Sequence, residues 1–595
     1  MKLIIAEKPS VAFAIAKALD VKGSKDGYIE NKNFIISWCV GHLVALAEPS
    51  VYDEKYTKWN YADLPIIPAE FQYKIYGGKQ KQFKVVKSLM NRKDVTEVVN
   101  ACDAGREGEL IFRLVYNQAN CKKPIKRLWI SSMEESAIRE GFQNLKDGSA
   151  YDNLYQSALC RLWADWLVGI NATRLFSLLY RKTLNIGRVQ TPTLALLCDR
   201  HNKISFFKKE KYFTVSLNLG GVKAETERID NEDMAKEITA ACGHSQAVCV
   251  SVEKEQKAEK PPKLFDLTAL QRAANRLYGY TAKQTLDLAQ SLYEKKLITY
   301  PRTDSRYLTE DMARTVLEVI ACSLKLPPFD GISDSRADTF YLFNNEKVSD
   351  HHAIIPTMEI QKANLSELPN GERSLLNLII CRLLTSSAEP YVYENTTAVF
   401  DCGGHTFTAK GKRVLAYGFK NVENLLASSS ENEDGGDPPV NFTEGQTFAD
   451  IKPQLCEKYT TPPKPYTEDT LLSAMETAGA KETTDDAERK GLGTPATRAA
   501  ILEKLVQTGF AERKGKQILP TKTGTLLISV LPDNLISPSL TAEWENALAL
   551  ISKGQESPKA FMQGIETMIA ELVERYKAFD SKNKNPFQNE SGAAK

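Results

Sequence analysis

The first 150 residues alternate short apolar runs with helical patterns, and this alternation restricts the fold more than any other feature of the chain. Four runs have the apolar character of buried strands, and they lie at residues 3–6, 34–40, 95–101 and 127–131. Buried strands separated by helices are typical of an α/β domain with a largely parallel sheet. The sequence therefore predicts such a domain over residues 1–150.

Charged residues follow two of these runs. Glu7 and Lys8 come directly after the first, and Asp103 and Glu107 follow the third. Because ligands of parallel sheets bind at the carboxyl ends of strands, two charged strand ends can meet at one site. Clustered carboxylates suit Mg²⁺, so Glu7, Asp103 and Glu107 form a candidate metal site. An acidic turn that caps a helix explains residues 103–109 equally well, and Lys8 alone resembles a solvated surface lysine.

The rest of the chain alternates helical and β-rich regions. Helical patterns occupy residues 151–208, 263–390 and 456–580, β-type patterns occupy 209–262 and 391–455, and a polar tail predicted to be disordered covers 581–595. This order predicts a chain that goes out and returns, with discontinuous domains. An acidic segment rich in Ser, Gly and Pro at 428–439 predicts a disordered surface loop. The fold class is thus α/β with additional all-α and β-rich parts.

Composition permits an enzyme without identifying one. The 595 residues predict several domains, and the net charge of +2 excludes a uniformly basic coat but not local phosphate-binding patches. The 11 cysteines include no Cys-x-x-Cys pair, which predicts neither zinc ribbons nor a disulfide framework and fits the cytoplasm. The apolar start at residues 1–6 is too short for a signal peptide, and no later run is long enough to span a membrane. We expect a soluble protein that is not exported.

Residues 297–304, LITYPRTD, place a tyrosine between an apolar run and an Arg/Asp pair. A phenol has a reference pKa near ~10, so it attacks phosphate poorly unless a neighbouring group favours the phenolate. Arg302 lies two residues after Tyr300, which is the same face of an extended segment, and there it can hold the phosphate that Tyr300 attacks. Taken alone, the segment also fits a half-buried strand tyrosine.

Three further motifs carry residues suited to nucleic-acid contact. These residues are Arg188, Gln190, Thr191, His351 and Arg498. The first three lie in a turn bounded by Gly and Pro, where an ordinary turn is the alternative. Adjacent histidines point apart and do not easily share one metal ion, so His351 has either a phosphate or proton-handling role or a structural one. Arg498 begins a helix, as either a phosphate contact or part of a helix cap.

In this order and over nearly the whole chain, these motifs closely resemble those of the type IA DNA topoisomerases, and within that family the bacterial topoisomerase III branch. The resemblance runs from Lys2 to about Glu545, and its most specific elements are AEKPS at 6–10, DAGREGE at 103–109, GRVQTPTL at 187–194 and ITYPRTDS at 298–305. It implies a multidomain toroid with a DNA-sized hole.

The resemblance also assigns the domains. Residues 1–150 correspond to a Toprim domain, and 151–208 with 456–580 to a helical domain that binds single-stranded DNA. Residues 209–262 with 391–455 correspond to a β-rich hinge or arch. Residues 263–390 correspond to a helical domain that carries the catalytic tyrosine.

The resemblance implies a role for each site residue. Tyr300 corresponds to the nucleophile that cleaves one strand and stays joined to its 5′ phosphate. Glu7 would relay a proton at the 3′ oxygen, and Lys8 and Arg302 would stabilise the charged phosphorane. The metal-binding acids correspond to Asp103 and Glu107, with Glu7 beside them. The corresponding DNA-binding residues are Arg161, Asp165, Arg188, Gln190, Thr191, Asp304, His351 and Arg498.

The implied activity is an ATP-independent isomerase that cuts one DNA strand, passes a strand and reseals, to relax negative supercoils or to decatenate. The phosphotyrosine ester conserves the energy of the broken bond, so the reaction needs no ATP. The sequence agrees with this, because it contains no Walker-type run. The implied cofactor is Mg²⁺, without zinc. The implied partners are DNA with single-stranded segments and a helicase or single-strand binding protein, without a membrane, at the nucleoid in the cytoplasm.

Two residues depart from the family pattern. Gly105 replaces the middle acid of the family's Asp-x-Asp-x-Glu motif, so we expect one Mg²⁺ held loosely by Asp103 and Glu107, with or without help from Glu109. Pro301 stands where many members have Met, which fits an extended segment. Two other functions remain open at this point, a Toprim nuclease or primase that does not use Tyr300, and a non-catalytic clamp for single-stranded DNA.

Overall fold

The computed structural model describes residues 1–130, 133, 135–332, 339–348, 351–426, 441–479, 491–577 and 585–588. The predicted loop at 428–439 lies outside these residues. In the part of the chain that is described, no helix is both long enough and apolar enough to cross a membrane.

The first 150 residues form a seven-stranded sheet with helices on it. The strands are β1 (Lys2–Ala6), β2 (Gly23–Lys25), β3 (Tyr28–Glu30), β4 (Phe34–Trp38), β7 (Glu97–Ala101), β8 (Ile125–Arg127) and β9 (Lys146–Asp147), in the order β2-β3-β4-β1-β7-β8-β9, while β5 (Val44–Leu46) and β6 (Tyr73–Ile75) form a separate pair. The helices are α1 (Pro9–Ala18), α2 (Pro49–Tyr52), α3 (Gln80–Met90), α4 (Arg106–Gln118) and α5 (Glu135–Gln143). Strand β1 runs parallel to β4 and β7, and β7 runs parallel to β8, which confirms the predicted parallel arrangement at the centre of the sheet. The prediction is wrong at the two edges, where β2, β3 and β9 pair antiparallel as short hairpin or edge strands.

Apolar residues of β1 alternate between two cores. Leu3 and Ile5 lie in one core, and Ile4 and Ala6 lie in the other, on the opposite face of the sheet. Because both faces are buried, the strand is continuously apolar until the chain leaves the sheet at Glu7. The two candidate strand ends, after β1 and β7, are neighbours because these strands pair in parallel.

The predicted strand at 127–131 is wrong in its bounds. Strand β8 begins at Ile125 and ends at Arg127, and it pairs with Val98 to Asn100 of β7. Lys126 looks too polar for a buried strand, but its ammonium reaches the Asp147 carboxylate at 3.3 Å on neighbouring β9. This pairing lets a lysine occupy the strand.

Two long helices follow. They are α6 (Asp152–Tyr180) and α7 (Gln190–Ser205), and a turn at 181–189 separates them. Helix α6 ends at Tyr180, because the next residue, Arg181, has a φ of 52° and takes the left-handed conformation that terminates a helix.

Strands from two distant stretches then combine in a second seven-stranded sheet, which is antiparallel throughout. They are β10 (Lys211–Leu219), β11 (Val222–Glu225), β12 (Ala247–Glu259), β13 (Tyr391–Cys402), β14 (His405–Ala416), β15 (Thr447–Phe448) and β16 (Gln454–Tyr459), in the order β15-β12-β13-β14-β11-β10-β16. One helix, α8 (Glu232–Gly243), packs on this sheet within the predicted β-rich region. Asn231 caps its first turn through bonds from two backbone amides.

Between β12 and β13 the chain forms a helical region. Its helices are α9 (Leu267–Tyr278), α10 (Ala282–Glu294), α11 (Ala313–Ser323) and α12 (Asn370–Ser386), and the short α13 (Lys420–Glu423) follows β14. Tyr300 lies in the extended segment that joins α10 to α11.

The last part is helical with one hairpin. Its helices are α14 (Glu468–Thr477), α15 (Pro495–Gln507), α16 (Lys522–Val530), α17 (Asp533–Ile536), α18 (Ser539–Ser552) and α19 (Pro558–Lys577), and the hairpin strands are β17 (Ala511–Lys514) and β18 (Gln517–Pro520). The purely helical prediction for 456–580 is therefore wrong at the hairpin, where Gly515 takes the φ of +59° that a tight turn needs. It is also wrong at β16, which continues past residue 455 because it pairs with β10.

Part of the tail predicted to be disordered is packed. Phe587 is only 5% exposed, its ring centroid lies 5.6 Å from that of Tyr180, and the Asn585 amide donates to the Tyr180 carbonyl at 2.9 Å. The prediction is wrong for residues 585–588, because a buried aromatic ring anchors them. The other residues of 581–595 lie outside the described chain. The division of the chain into domains stays a prediction.

Candidate active site

Tyr300 is held by a neighbouring segment that carries His351. The Thr299 amide donates to the Ile355 carbonyl at 2.9 Å, and the Thr303 hydroxyl donates to the His351 carbonyl at 2.7 Å. These bonds bring the Tyr300 and His351 rings together, with centroids 4.4 Å apart. The extended conformation predicted around the tyrosine places its ring against a histidine from a segment 50 residues further along the chain.

Lys8 joins the tyrosine to the acids of the first sheet. Its ammonium lies 3.8 Å from the centroid of the Tyr300 ring, 3.1 Å from Asp103 Oδ2 and 3.3 Å from Glu7 Oε1. The same Asp103 oxygen lies 3.0 Å from His351 Nε2. Lys8 therefore places a positive charge against the Tyr300 ring and between two carboxylates.

The pKa values of the three charged groups shift in ways that suit different tasks. Burial and the nearby Asp103 charge raise the pKa of Glu7. Burial also acts to raise the pKa of Asp103, but His351 and Lys8 outweigh it and hold that pKa well below its usual range. Burial lowers the pKa of Lys8, while Asp103 and Glu7 outweigh burial and raise it. The site therefore contains a fixed anion, a fixed cation and a carboxyl group that readily carries a proton.

These groups line one large cavity of about 1570 Å³. Pockets for small ligands are typically about 300–1,000 Å³, so this cavity has room for a segment of polymer. Arg302 and Asp304 lie on its wall, and both are exposed. Arg302 and Tyr300 thus line the same cavity.

The predicted metal-binding acids are close to the cavity but not assembled around one point. Glu107 Oε1 lies 2.6 Å from His42 Nε2, and Glu7 is paired with Lys8. Among the described residues, no group of three or more His, Cys, Asp or Glu side chains lies close enough together to hold a metal ion. The buried Asp103 Oδ1 has no hydrogen-bond partner in the described part of the chain. One hard cation held by Asp103 and Glu107 fits this free oxygen better than a preformed carboxylate cluster does.

Some predicted DNA-binding residues line the cavity and others are buried. Arg161 and Asp165 lie on its wall. Arg188 is 5% exposed and forms two hydrogen bonds to Asp165, of 2.7 and 3.3 Å. Gln190 is half-buried at the start of α7. Arg188 can therefore act on DNA only through the side chains that it positions.

Two other predicted contacts are buried by local structure. Thr191 is 1% exposed, and its hydroxyl accepts a hydrogen bond from the Gly187 amide. Arg498 is 2% exposed, and its guanidinium donates to the Thr268 hydroxyl at 2.8 Å and to the Leu492 carbonyl at 3.2 Å. In the conformation described, neither side chain reaches the cavity surface, which Thr494 and Thr497 at the start of α15 line instead.

Comparison with known proteins identifies the family. A family model described as "DNA topoisomerase" matches residues 149–563, and one described as "Toprim domain" matches residues 2–133. The chain belongs to the type IA DNA topoisomerases. It is 40% identical to "DNA topoisomerase 3" of Bacillus subtilis, over 97% of this chain and 82% of that protein. It is 41% identical to "DNA topoisomerase 3" of Staphylococcus haemolyticus, over 97% and 83%.

A solved structure supports the same fold. The full-length topoisomerase I of Thermotoga maritima superposes with a TM-score of 0.70 at 22% identity, over 96% of this chain and 90% of that one. As a member of the type IA topoisomerases, the protein with the present sequence is an isomerase that acts on DNA, and it has a Toprim fold at its N-terminus. Glu7, Asp103 and Glu107 all lie within the Toprim match, and Toprim domains bind divalent metals.

Sequence reasoning missed three residues of this topoisomerase's site. His42 holds Glu107, the Tyr293 hydroxyl donates to the Ser10 hydroxyl at 3.2 Å, and Glu545 accepts a hydrogen bond of 2.9 Å from Arg106. His42 stands between two small strands in a Gly-His-Leu run, which was a readable signal. Glu545 had none, because an acid on an amphipathic helix usually faces solvent.

Proposed function

We propose that this topoisomerase cleaves one DNA strand through Tyr300 and remains joined to the 5′ phosphate until the strand is resealed. The observation that supports this most is the meeting of Tyr300 with Lys8, Asp103 and His351, which come from three distant parts of the chain. A tyrosine with only a packing role has no need for a cation on its ring and a carboxylate behind that cation.

Four side chains of the site each have a role in the proposed cleavage. The Tyr300 oxygen attacks the phosphorus and loses its proton to solvent, while the 3′ oxygen leaves. Glu7, whose raised pKa keeps a proton available, donates that proton to the leaving oxygen. Lys8 and Arg302 stabilise the additional negative charge on the phosphate oxygens as the new bond forms.

Resealing reverses these steps. The free 3′ hydroxyl gives its proton back to Glu7 and attacks the phosphotyrosine, which releases Tyr300. Because the phosphotyrosine ester conserves the energy of the broken phosphodiester, the cycle requires no ATP. Between cleavage and resealing a strand passes through the break, and the enzyme thereby relaxes negative supercoils or decatenates DNA.

Asp103 and Glu107 would hold Mg²⁺ in this enzyme, and the bound ion would supply positive charge for phosphate binding. The free Asp103 Oδ1 supports this assignment. Glu7 fits a proton carrier better than a metal ligand, since its carboxyl is paired with Lys8 and its pKa is raised. We propose no zinc.

A single strand of DNA would follow the cavity wall that carries Arg161 and Asp165. Phosphate contacts and base stacking are the general means of binding such a strand. His351 supports the scissile phosphate, and Asp304 lies beside the strand, since both residues line the cavity. We propose action at the nucleoid, where a helicase or single-strand binding protein would supply single-stranded segments.

The Tyr300→Phe variant tests this function. Negatively supercoiled plasmid is incubated with enzyme and Mg²⁺, denatured, and analysed for DNA linked at its 5′ end to residue 300. We expect the adduct and relaxation with the unchanged enzyme, and a loss of both by at least about 100-fold in Tyr300→Phe, because the nucleophile is gone.

Tyr307→Phe is the matched control, since Tyr307 lies in the same segment but outside the cavity wall. It should keep both the adduct and relaxation. Cleavage that persists in Tyr300→Phe would favour a Toprim nuclease instead, and the lack of any adduct with the unchanged enzyme would favour a non-catalytic clamp.

A further inference from the structure

A buried carboxylate on α18 gathers three arginines from three parts of the chain. Glu545 is 5% exposed, and its oxygens lie 2.9 Å from Arg106 Nη2, 3.4 Å from Arg188 Nη1 and 3.7 Å from Arg161 Nε. These arginines come from the start of α4, from the turn before α7 and from the middle of α6. Nothing in the proposed cleavage steps uses Glu545.

The charges of this cluster explain why a carboxylate is needed there. Burial raises the pKa of Glu545, but Arg161, Arg106 and Arg188 outweigh burial and lower it to about 2, so the group stays ionised. Asp165 is the second acid of the cluster and accepts two hydrogen bonds from Arg188. Without Glu545, Arg106 and Arg188, which are both almost fully buried, would each lose a carboxylate contact.

Glu545 connects two parts of the active site. On one side, Arg161 and Asp165 line the cavity where the single strand is proposed to bind. On the other side, Arg106 lies in the acidic turn, between Asp103 and Glu107, and it also donates to the Ser157 hydroxyl of α6 at 3.4 Å. That hydroxyl in turn donates to the Leu548 carbonyl of α18 at 2.8 Å. The acidic turn and the strand-binding helices thus meet at one buried side chain.

The three arginines differ in how far they reach the cavity. Arg106 and Arg188 are almost fully buried, with 3% and 1% of their side chains accessible. Arg161 lines the cavity, and 17% of its side chain is accessible. Its guanidinium lies 3.7 Å from Glu545 and 4.0 Å from Asp165, so both acids attract it at the cavity wall, where a phosphate can reach it.

We propose that Glu545 is a positioning residue that holds Arg161 toward a phosphate of the bound single strand and anchors the Asp103–Glu107 turn to the strand-binding helices. This inference rests on the proposed function for the identity of the strand and of the cleavage step. Binding of the strand in the cavity and placement of Asp103 and Glu107 are therefore coupled through the Glu545 carboxylate.

The test compares Glu545→Gln with Glu545→Asp, and with Glu543→Gln as a matched control, because Glu543 lies on the same helix but is exposed. Each variant is first checked for folding by thermal unfolding. Affinity for a fluorescent single-stranded oligonucleotide is measured in EDTA, and 5′-adduct formation is measured with Mg²⁺ at saturating oligonucleotide.

We expect Glu545→Gln to bind the oligonucleotide about tenfold more weakly and to form about tenfold less adduct at saturation. A simple charge effect has the opposite sign for binding, since removing an acid makes the protein more positive and tightens DNA binding. Glu545→Asp should restore most of both values, and Glu543→Gln should equal the unchanged enzyme. Unchanged or tighter binding by Glu545→Gln, or no rescue by Glu545→Asp, overturns the proposal.

Arg106→Lys tests the link to the acidic turn separately, also if Glu545→Gln does not fold. Lysine keeps the charge but cannot bridge Glu545 and Ser157 at once. We expect oligonucleotide binding within about twofold of the unchanged enzyme and about tenfold less adduct at saturation. Undiminished adduct overturns the link. If the unchanged enzyme forms no adduct at all, the proposed function fails, while the binding measured in EDTA still decides the role of Glu545.

Discussion

Glu7 and Asp103 lie beside the same ammonium, yet their pKa values move in opposite directions. Asp103 has both Lys8 and His351 on one oxygen, and these neighbours stabilise its charge. Glu7 has Lys8 but also faces the Asp103 charge, and burial adds to its penalty. The neighbouring groups therefore favour the protonated form of Glu7 and the ionised form of Asp103.

Glu7→Gln is expected to stabilise the fold while it removes catalysis. Because the folded-state pKa of Glu7 is raised, its charged form lowers stability as pH rises from the unfolded pKa through the folded pKa. The variant should melt on the order of 1–3 °C higher than the unchanged enzyme at pH 8, and the difference should shrink toward pH 4. The 5′ adduct should fall by about 100-fold or more.

Thermal unfolding at both pH values and the denatured-adduct assay measure these effects. Glu48→Gln is the control, since Glu48 is exposed and pairs with Lys74 at the surface, and the melting temperature of this variant should not change with pH in this way. A melting temperature for Glu7→Gln that is lower at pH 8 than that of the unchanged enzyme contradicts the prediction.

At the scale of elements, the tyrosine segment is clamped to α14 by ion pairs. Arg306 Nη2 lies 2.9 Å from Glu476 Oε1, and Arg306 Nε donates to Asp266 Oδ2 at 2.5 Å. Arg272 of α9 contacts Asp469 of α14 at 2.8 Å. If the tyrosine segment leaves the rest of the site to open a passage together with the region 263–390, the Arg306–Glu476 and Arg272–Asp469 pairs to the region 456–580 must break.

Glu476→Gln is expected to loosen the tyrosine segment locally. These pairs are about one-third exposed, so the loss is roughly 0.5–1 kcal/mol, which corresponds to about two- to fivefold faster opening-dependent amide exchange. Hydrogen exchange at Tyr307 and Leu308 measures it, since the Leu308 amide donates to the Leu342 carbonyl.

The control for this experiment is Glu318→Gln. Glu318 pairs with Arg314 on the surface of α11, where the arginine is 92% exposed. This variant should leave exchange at Tyr307 and Leu308 unchanged. Equal exchange in Glu476→Gln and the unchanged enzyme would show that the ion pairs do not hold the segment.

At the scale of the whole molecule, the cavity is closed by contacts between the first sheet and the tyrosine region. Lys8 contacts Tyr300, Asp103 contacts His351, and Ser10 contacts Tyr293. In the proposed cycle, cleavage needs these contacts, while passage of a strand needs them to separate. Cleavage and strand passage should therefore respond differently to a cross-link that holds the two regions together.

A reversible cross-link between residues 10 and 293 should separate cleavage from strand passage. Ser10→Cys with Tyr293→Cys is joined by a short bifunctional methanethiosulfonate, which a reductant removes. We expect adduct formation on an oligonucleotide within about twofold of the value before cross-linking, and plasmid relaxation at least about tenfold slower, because the opening motion is blocked.

Reduction of the cross-link should restore relaxation, and each single cysteine variant treated with the reagent should relax plasmid at its untreated rate. Ten of the 11 native cysteines are buried, which limits side reactions. Relaxation at full rate with the cross-link in place would mean that the two regions need not part there.

The sequence alone predicted the central parallel strands of the first sheet and indicated Glu7, Asp103, Tyr300 and Arg302 as candidate site residues. These follow from local rules, because a strand buried on both faces must be apolar and its charged end must reach an edge. It also indicated the out-and-back order of the chain. The bounds of β8 and the hairpin at 511–520 escaped it, because cross-strand partners decide which polar residues a strand tolerates.

Only the tertiary structure decided which charged residues face the cavity. Like Arg302, Arg188 and Arg498 lie in motifs suited to phosphate contact. In the structure, however, both are buried, and their guanidinium groups donate to Asp165 and to Thr268. Glu545 has no sequence signal, and it becomes central only because α18 packs on α6 beside three arginines. Burial and the sum of nearby charges depend on contacts between residues hundreds of positions apart, and no local pattern records them.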